Sequence, residues 1–384
     1  MNDFKKNSRR RQGAFLDVNV FSHEGFTSGA LIYMKEILSR MGRLGIPSGV
    51  LSLVTNPAGR KRLLSKKTKD GITIEELKLE IAGHPDGKSY AEACERLLHG
   101  FKWGAIFMNS PAVILDEAYN FALESALDHA DNVVMVVPDV LFPTVKTNSA
   151  AEVRKLYRLM RRTITIVPSN FVRKKLKTIT GIQAKVLPNI FDRRKIISPD
   201  GNHQSITMIN HHPMKGRDIF NAIALKLPHE TFMIVENWPD VPEYVPVSPN
   251  IRFHNFFKDV RELYSQSKLI LVPSLCEEGC PRVISEALLN GIPVIAHNIG
   301  GIKEAGLGMI HLLRPPKIKG LPIAPTLDEE ELDKISDRFV STIFKIGKDK
   351  PGRFKKDKSI QNSALQHIQR SEELTGTFLK NLFK

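Results

Sequence analysis

The sequence predicts an α/β protein of two domains, each built on a doubly wound, mostly parallel sheet. Three observations carry this expectation. The chain has 384 residues, more than one ordinary core organises. Short apolar runs alternate with segments of helical period, the pattern of parallel strands joined by crossover helices. The alternation stops over 189–204, "NIFDRRKIISPDGNHQ", which has turn residues and no apolar period, and then restarts. A domain boundary belongs there.

Taken in order, "GAFLDVNVF" reads as a strand, followed by a glycine-containing loop and the helical pattern "ALIYMKEILSRMGRLG". "PSGVLSLVT" is a second apolar strand. "WGAIFMNSP", the helix "ILDEAYNFALESALDHA" and "NVVMVVPD" continue the series. "RTITIVPS", the helix "NFVRKKLKTI" and "AKVLPN" close it. After the boundary come "SITMIN", the loop "HHPMKGRD", the helix "IFNAIALKL" and the strand "TFMIVEN". "IRFHNF", the helix "VRELYSQS", "KLILVPS", the helix "RVISEALLNG" and "PVIAHN" follow. A basic linker over 345–358 precedes a terminal amphipathic helix. The expected division is 1–190, 191–358 and a terminal helix over 359–384.

An apolar fraction of 42% and a charged fraction of 25% describe a globular chain rather than a disordered one. Three cysteines do not make a disulfide framework, so a reducing compartment is expected. Cys276 and Cys280 lack the second His or Cys pair that a four-ligand metal site needs. No apolar run is long enough to span a bilayer, and the basic start "MNDFKKNSRRRQG" lacks a secretory apolar core. The expected location is cytoplasmic, with peripheral association at the inner membrane face. The formal charge of +15 lies mostly before residue 190, where 29 Lys and Arg face 18 Asp and Glu. Such a field favours an anionic partner: a membrane surface, a phosphorylated carrier, an acidic polymer or nucleic acid.

The stretch that carries chemistry is "SLCEEGCPRVISEALLNGIPVIAHNIGGIKE", residues 274–304. In an open parallel sheet, ligands collect beyond the carboxyl ends of the strands. "KLILVPS" is such a strand and "LCEEGCP" the loop at its end, with a helix starting near Pro281 or Arg282. Glu278 then lies in the loop and Glu286 on the second turn of the helix. Amides near Gly279 and Cys280 sit at the positive end of that helix. Two carboxylates around such a place suit a ligand rich in hydroxyl groups, because an ionised carboxylate accepts several O–H donors. Gly300-Gly301 permits close backbone approach after the next strand.

Glu278 and Glu286, together with "ALLNGIPVIAHNIGGIKE", resemble the Glu-x7-Glu signature of retaining glycosyltransferases of family 4. The resemblance implies the GT-B fold: two Rossmann-like domains facing across a cleft, with a C-terminal helix returning to the first. It implies that Glu278 holds hydroxyls of a donor sugar, with the loop through Gly279, Cys280, Pro281 and Arg282 assisting, and that Glu286 binds the ribose diol. It also implies a diphosphate-binding Lys-Gly after the first strand of the second domain, here Lys215-Gly216. The family usually has Gly-Arg five to six residues ahead of that Lys; this chain has Ile209 and Asn210 there. Asn210 and Arg217 are the candidates for that part of the donor site, and a solvated Arg217 is the alternative. His211 and His212 read as loop histidines.

In the first domain, relatives have a glycine-rich loop near the donor phosphates; "SHEGFTSGA", with Gly25, Thr27, Ser28 and Gly29, is its counterpart. They often have a His near the donor sugar on a further loop; here "VVPDVLFP" has Asp139, a polar contact or a turn-forming residue. The implied activity is transfer of a hexose-type sugar from a nucleotide diphosphate to a glycan, lipid-linked or other anionic acceptor, part of polysaccharide biosynthesis. The implied mechanism needs no metal and no cofactor beyond the nucleotide-sugar co-substrate. On the acceptor side, "NPAGRKRLLSKKTKDG" places Arg60, Lys61, Arg62, Lys66, Lys67 and Lys69 around Leu63-Leu64. It reads as a basic loop or short helix able to lie on an anionic bilayer or to follow phosphates. Two other readings stay open: a nucleotide-sugar- or nucleic-acid-binding GT-B protein without catalysis, and a DNA-modifying, phosphorylase-like or epimerase-like relative.

Overall fold

The computed structural model describes residues 12–17, 29–55, 62–69, 72–81, 92, 94–95, 98–99, 103–111, 115, 117–199, 201–236, 244–317, 326–347 and 356–384. The chain divides into two compact units. One is Met1–Ile190 with Ser371–Lys384, the other Phe191–Arg370.

The first unit holds an eight-stranded sheet. Its strands are β1 (Gln12–Asp17), β2 (Ser48–Thr55), β3 (Arg62–Lys69), β4 (Ile72–Ile81), β5 (Trp103–Asn109), β6 (Val133–Val136), β7 (Ile164–Val167) and β8 (Lys185–Val186), in the order β3-β4-β2-β1-β5-β6-β7-β8. Helices α1 (Gly29–Arg43), α2 (Glu117–His129), α3 (Ala150–Met160) and α4 (Asn170–Thr180) connect them. Alternate residues of the central strands feed opposite faces, as the pleat requires. Phe107, Val134 and Val136 join Tyr33, Met34 and Ile37 of α1. Ile106, Met108 and Met135 join Tyr119 and Leu123 of α2, Leu156 and Leu159 of α3, and Val172 and Leu176 of α4.

One expectation is corrected here. The basic run at 60–69 is not a loop or short helix from Arg62 onward. Arg62–Lys69 is an edge strand, antiparallel to β4, with Lys66 opposite Glu75 and Lys69 opposite Ile72. The signal was local: Asp70-Gly71 between two alternating runs is a hairpin sequence. The first sheet therefore ends on an antiparallel strand, as mixed sheets often do. Helix α3 is a further element absent from the sequence reading.

The second unit contains a six-stranded, wholly parallel sheet: β9 (Ser205–Ile209), β10 (Thr231–Val235), β11 (Ile251–His254), β12 (Ser267–Val272), β13 (Val294–His297) and β14 (His311–Leu313), ordered β11-β10-β9-β12-β13-β14. In sequence rank this is 3-2-1-4-5-6, and the order reverses between β9 and β12. Around the sheet lie α5 (Arg193–Ile196), α6 (Arg217–Lys226), α7 (Val260–Gln266), α8 (Arg282–Leu289), α9 (Ile302–Ala305) and α10 (Glu329–Ile346). β14, α9 and α10 were not anticipated; their segments are short or largely polar. All six residues of β12 are buried, and Leu269–Val272 reads as a continuous apolar run rather than an alternating one.

The terminal helix α11 runs Lys358–Leu382. Ala364 and Ile368 belong to a core of the second unit, while Leu379 and Leu382 complete the α1 side of the first. Of the expected basic linker over 345–358, residues 348–355 lie outside the described residues.

Candidate functional site

The loops after β9, β12 and β13 meet at one carboxylate. β9 is followed by Asn210, whose φ of 75° is the left-handed conformation that asparagine tolerates better than most residues. Its Oδ1 accepts the His212 amide at 3.0 Å, and His212 Nδ1 accepts the Met214 amide at 3.1 Å. These two caps roll the chain into the single turn Pro213–Lys215. Gly216 follows at φ 89°, and an added Cβ would fall on the carbonyl oxygen of Pro273 at the end of β12. Only glycine fits both constraints. The Lys-Gly pair therefore has a division of labour: Gly216 seats the turn against β12, and Lys215 projects from it.

The second loop follows β12. Leu275 donates its amide to the Met214 carbonyl at 2.8 Å, tying the two loops together. Lys215 Nζ lies 2.6 Å from Glu278 Oε1, and the Ser274 hydroxyl donates to the same oxygen at 2.8 Å. The third loop supports the backbone of the second. Gly301 donates its amide to the Glu278 carbonyl at 2.7 Å, and a Cβ on Gly300 (φ 62°) would lie 2.6 Å from the Glu278 amide nitrogen. A Cβ on Gly301 would fall on the Gly279 carbonyl oxygen. The paired glycines are thus a steric requirement of the Glu278 loop.

Behind this cluster sits His297, the last residue of β13. It is fully buried, with Nδ1 3.0 Å from the Ser274 carbonyl and its ring edge-on to Phe339. Burial pulls its pKa down to about 4, so the imidazole is neutral and Nδ1–H donates to Ser274. Ser274 is held through its carbonyl and holds Glu278 through its hydroxyl. The thiols of Cys276 and Cys280 are pushed up by burial to about 11 and about 12, so neither is a thiolate nucleophile at neutral pH. His212 is pulled below its usual value, first by burial and then by the cations Lys215 and Arg217 and by His211.

Glu286 occupies its own setting on α8. It is 8% exposed; the Tyr264 hydroxyl donates to Oε2 at 2.8 Å, and Arg282 Nε lies 3.3 Å from Oε1. The Arg282 guanidinium stacks over Phe191, 4.2 Å from the ring centre. Asn290, also buried, anchors the far end of α8. Its Oδ1 accepts from the amide and hydroxyl of Ser198, and its Nδ2 donates to the carbonyls of Ile196 and Glu286.

The other expected residues are dispersed. Arg217 pairs with its neighbour Asp218 at 3.0 Å. His211 stands in the loop, as expected, and is buried there against Tyr244 and Phe253. Asp139 accepts the Leu141 amide at 2.8 Å, the turn-forming role. Gly29 opens α1 and Arg62 opens β3; Gly25, Thr27, Ser28, Arg60 and Lys61 lie outside the described residues. Among the described residues no group of three or more His, Cys, Asp or Glu side chains is placed to hold a metal. Ser274, His297 and Tyr264 were missed. Ser274 had a signal, a hydroxyl at the carboxyl end of a buried strand, whereas Tyr264 reaches Glu286 only through tertiary packing.

The architecture has close counterparts of low sequence identity. The Anabaena HepE structure in complex with UDP-glucose is 16% identical over 96% of this chain and 99% of that one, with a TM-score of 0.66. A glycosyltransferase from Rickettsia africae ESF-5 is 16% identical over 97% and 98%, with a TM-score of 0.65. The pneumococcal O-GlcNAc transferase GtfA in complex with UDP and GlcNAc is 10% identical over 97% and 99%, at 0.63. No curated protein sequence matches the chain at a significant level. The two parallel-sheet α/β units and these counterparts define a GT-B fold. Within it, residues 215–320 match the family model described as Glycosyl transferases group 1, a segment that begins at Lys215 and contains both glutamates.

Proposed function

We propose that this protein is a retaining, metal-independent glycosyltransferase similar to family 4, moving a hexose-type sugar from a nucleotide-diphosphate donor. The acceptor is a glycan or a lipid-linked or otherwise anionic molecule met on the cytoplasmic side of a membrane, in polysaccharide biosynthesis. The observation that carries the reading is the meeting of Lys215 and Glu278 at 2.6 Å, on the loops that follow the adjacent strands β9 and β12, where the strand order reverses. A cation and a hydroxyl-binding carboxylate at that place match the two ends of a sugar diphosphate.

In this reading the anomeric carbon–oxygen bond of the donor breaks as the acceptor oxygen bonds to the same face. The acceptor proton passes to an oxygen of the departing diphosphate. No protein nucleophile is needed, so the two glutamates are binding groups and not a hydrolase pair. Lys215 opposes the charge that grows on the diphosphate, and Glu278 accepts from sugar hydroxyls. Glu286, one oxygen fixed by Tyr264, accepts from the ribose diol. Gly279, Cys280, Pro281 and Arg282 shape the loop between them, and Asn210 holds the turn that presents Lys215. Arg217, Gly25 and Gly29 are further donor-side candidates, and Asp139, Arg60, Lys61 and Arg62 acceptor-side ones.

The test is thermal unfolding with UDP-, GDP- and ADP-sugars, followed by a transfer assay. A donor bound only by the folded state, at a hundredfold excess over its Kd, adds about 2.7 kcal/mol of stability. UDP-glucose is the first to try, given the contents of the HepE complex. Stabilisation by none of them, with no donor hydrolysis or transfer, would overturn the proposal. The second reading, a binding protein without catalysis, draws on Ile209-Asn210 standing where the family usually has Gly-Arg. It predicts stabilisation by donor without turnover.

A further inference from the structure

A second concentration of positive charge lies in the first unit. Residues 150–190 contain ten Lys and Arg side chains and one acid, Glu152. They form α3, β7, α4 and β8. Both helices pack their apolar stripes into one core on one face of the first sheet, and Arg161 of the α3 end donates to the Thr180 carbonyl of the α4 end at 3.1 Å. Their outward stripes are therefore neighbours. Arg154, Arg158, Arg161, Arg162, Arg173, Lys174 and Lys177 are all exposed on them. The nearby acids are engaged with other side chains: Glu152 accepts from Asn120 at 2.7 Å, and Glu124 pairs with Lys155 at 3.0 Å.

A single-sign field of this density opposes folding by self-repulsion and is offset when an anionic surface covers it. Ile179 is 45% exposed in the same set. The nearby aromatic residues are not offered for stacking: Phe171 packs against the core and the Tyr157 hydroxyl donates to the Pro143 carbonyl. An exposed aliphatic side chain among cations suits the interfacial zone of a bilayer, whereas nucleic-acid surfaces favour stacking rings.

We infer that the α3–α4 face docks this protein on an anionic lipid bilayer. The inference deepens the proposed membrane-side acceptor and rests on it for its purpose, but it assigns the contact to Arg154–Lys177 rather than to the basic edge strand β3. Each cation at an anionic surface strengthens binding about fivefold.

The experiment is co-sedimentation of the full chain with phosphatidylcholine vesicles, with and without phosphatidylglycerol, at low and high salt. Wild type should bind the phosphatidylglycerol vesicles alone, less so at high salt. Arg154→Gln, Arg158→Gln, Arg173→Gln, Lys174→Gln and Lys177→Gln combined should weaken binding at least about a hundredfold. Exchanging Arg for Lys and Lys for Arg at these positions should preserve it. Arg158→Gln with Lys174→Gln, a milder change, should weaken it about tenfold or more. Each variant's thermal shift with UDP-glucose, matched to wild type, reports both folding and the donor site. Unchanged vesicle binding by the five-fold neutral variant would overturn this assignment while leaving the donor reading intact. Absence of vesicle binding by wild type would also overturn it, and salt-sensitive retention of duplex DNA in that case would identify the face as a nucleic-acid surface.

Discussion

At the residue scale, Lys215 and Ser274 both satisfy one oxygen of Glu278. Lys215→Ala should slow transfer strongly with little change in donor affinity, because charge on the leaving diphosphate rises toward the transition state. Single-turnover and equilibrium binding measurements separate the two effects. Glu286→Ala should instead weaken donor binding roughly ten- to a hundredfold, the worth of one charge-assisted hydrogen bond of about 1.5–3 kcal/mol; calorimetry checks it. His297 gives a pH signature. Its folded pKa of about 4 lies below the unfolded value of 6.5, so the unfolded chain takes up a proton first as pH falls. The native state loses about 3 kcal/mol between pH 6.5 and pH 4 on this account, and the loss stops below 4. His297→Gln should flatten that part of the urea-stability profile, against a background set by the carboxylates. Glu278, Glu286 and Lys215 were legible in the sequence because their spacing and neighbours form a pattern. Tyr264 and His297 were not, since each acts through a partner distant in the chain.

At the element scale, glycines and turns decide where the loops stand. Gly216→Ala should destabilise the second unit by at least about 2 kcal/mol, from the left-handed backbone and the encounter with Pro273 together. Denaturant unfolding measures this directly. An Asn290→Ala change should cost at least about 3 kcal/mol, because it strands buried groups at both Ser198 and Ile196. Strands and helices with strong periods were readable from sequence, β12 and α8 among them. The β3–β4 hairpin was less legible, because four cations in the eight residues of β3 obscure its alternation. Helix α3 went unread although its buried Val153, Leu156, Leu159 and Met160 keep helical spacing.

At the scale of the whole molecule, the restart of alternation after residue 204 located the second sheet, and its strand order then located the site. The return of the terminal helix to the first unit was expected from the family resemblance rather than from composition. Residues 371–384 belong with the first unit, yet nothing in their composition says which core Leu379 and Leu382 enter. Deleting 371–384 should lower the first unit's stability by about 3–6 kcal/mol, two buried leucines at about 1.5–3 kcal/mol each. Calorimetry of the truncated chain would show the change in the transition of the first unit.

That placement of Leu379 and Leu382 also sets an order of events during synthesis. Every residue of Phe191–Arg370 emerges from the ribosome before the segment that covers Tyr33, Met34 and Ile37. At 5–20 residues per second, the interval is roughly ten to forty seconds. Over that time the chain of the second unit is still being made and becomes whole only at the end, while the first, although made earlier, waits with an open apolar face. A helix made after the second unit closes a core begun before it.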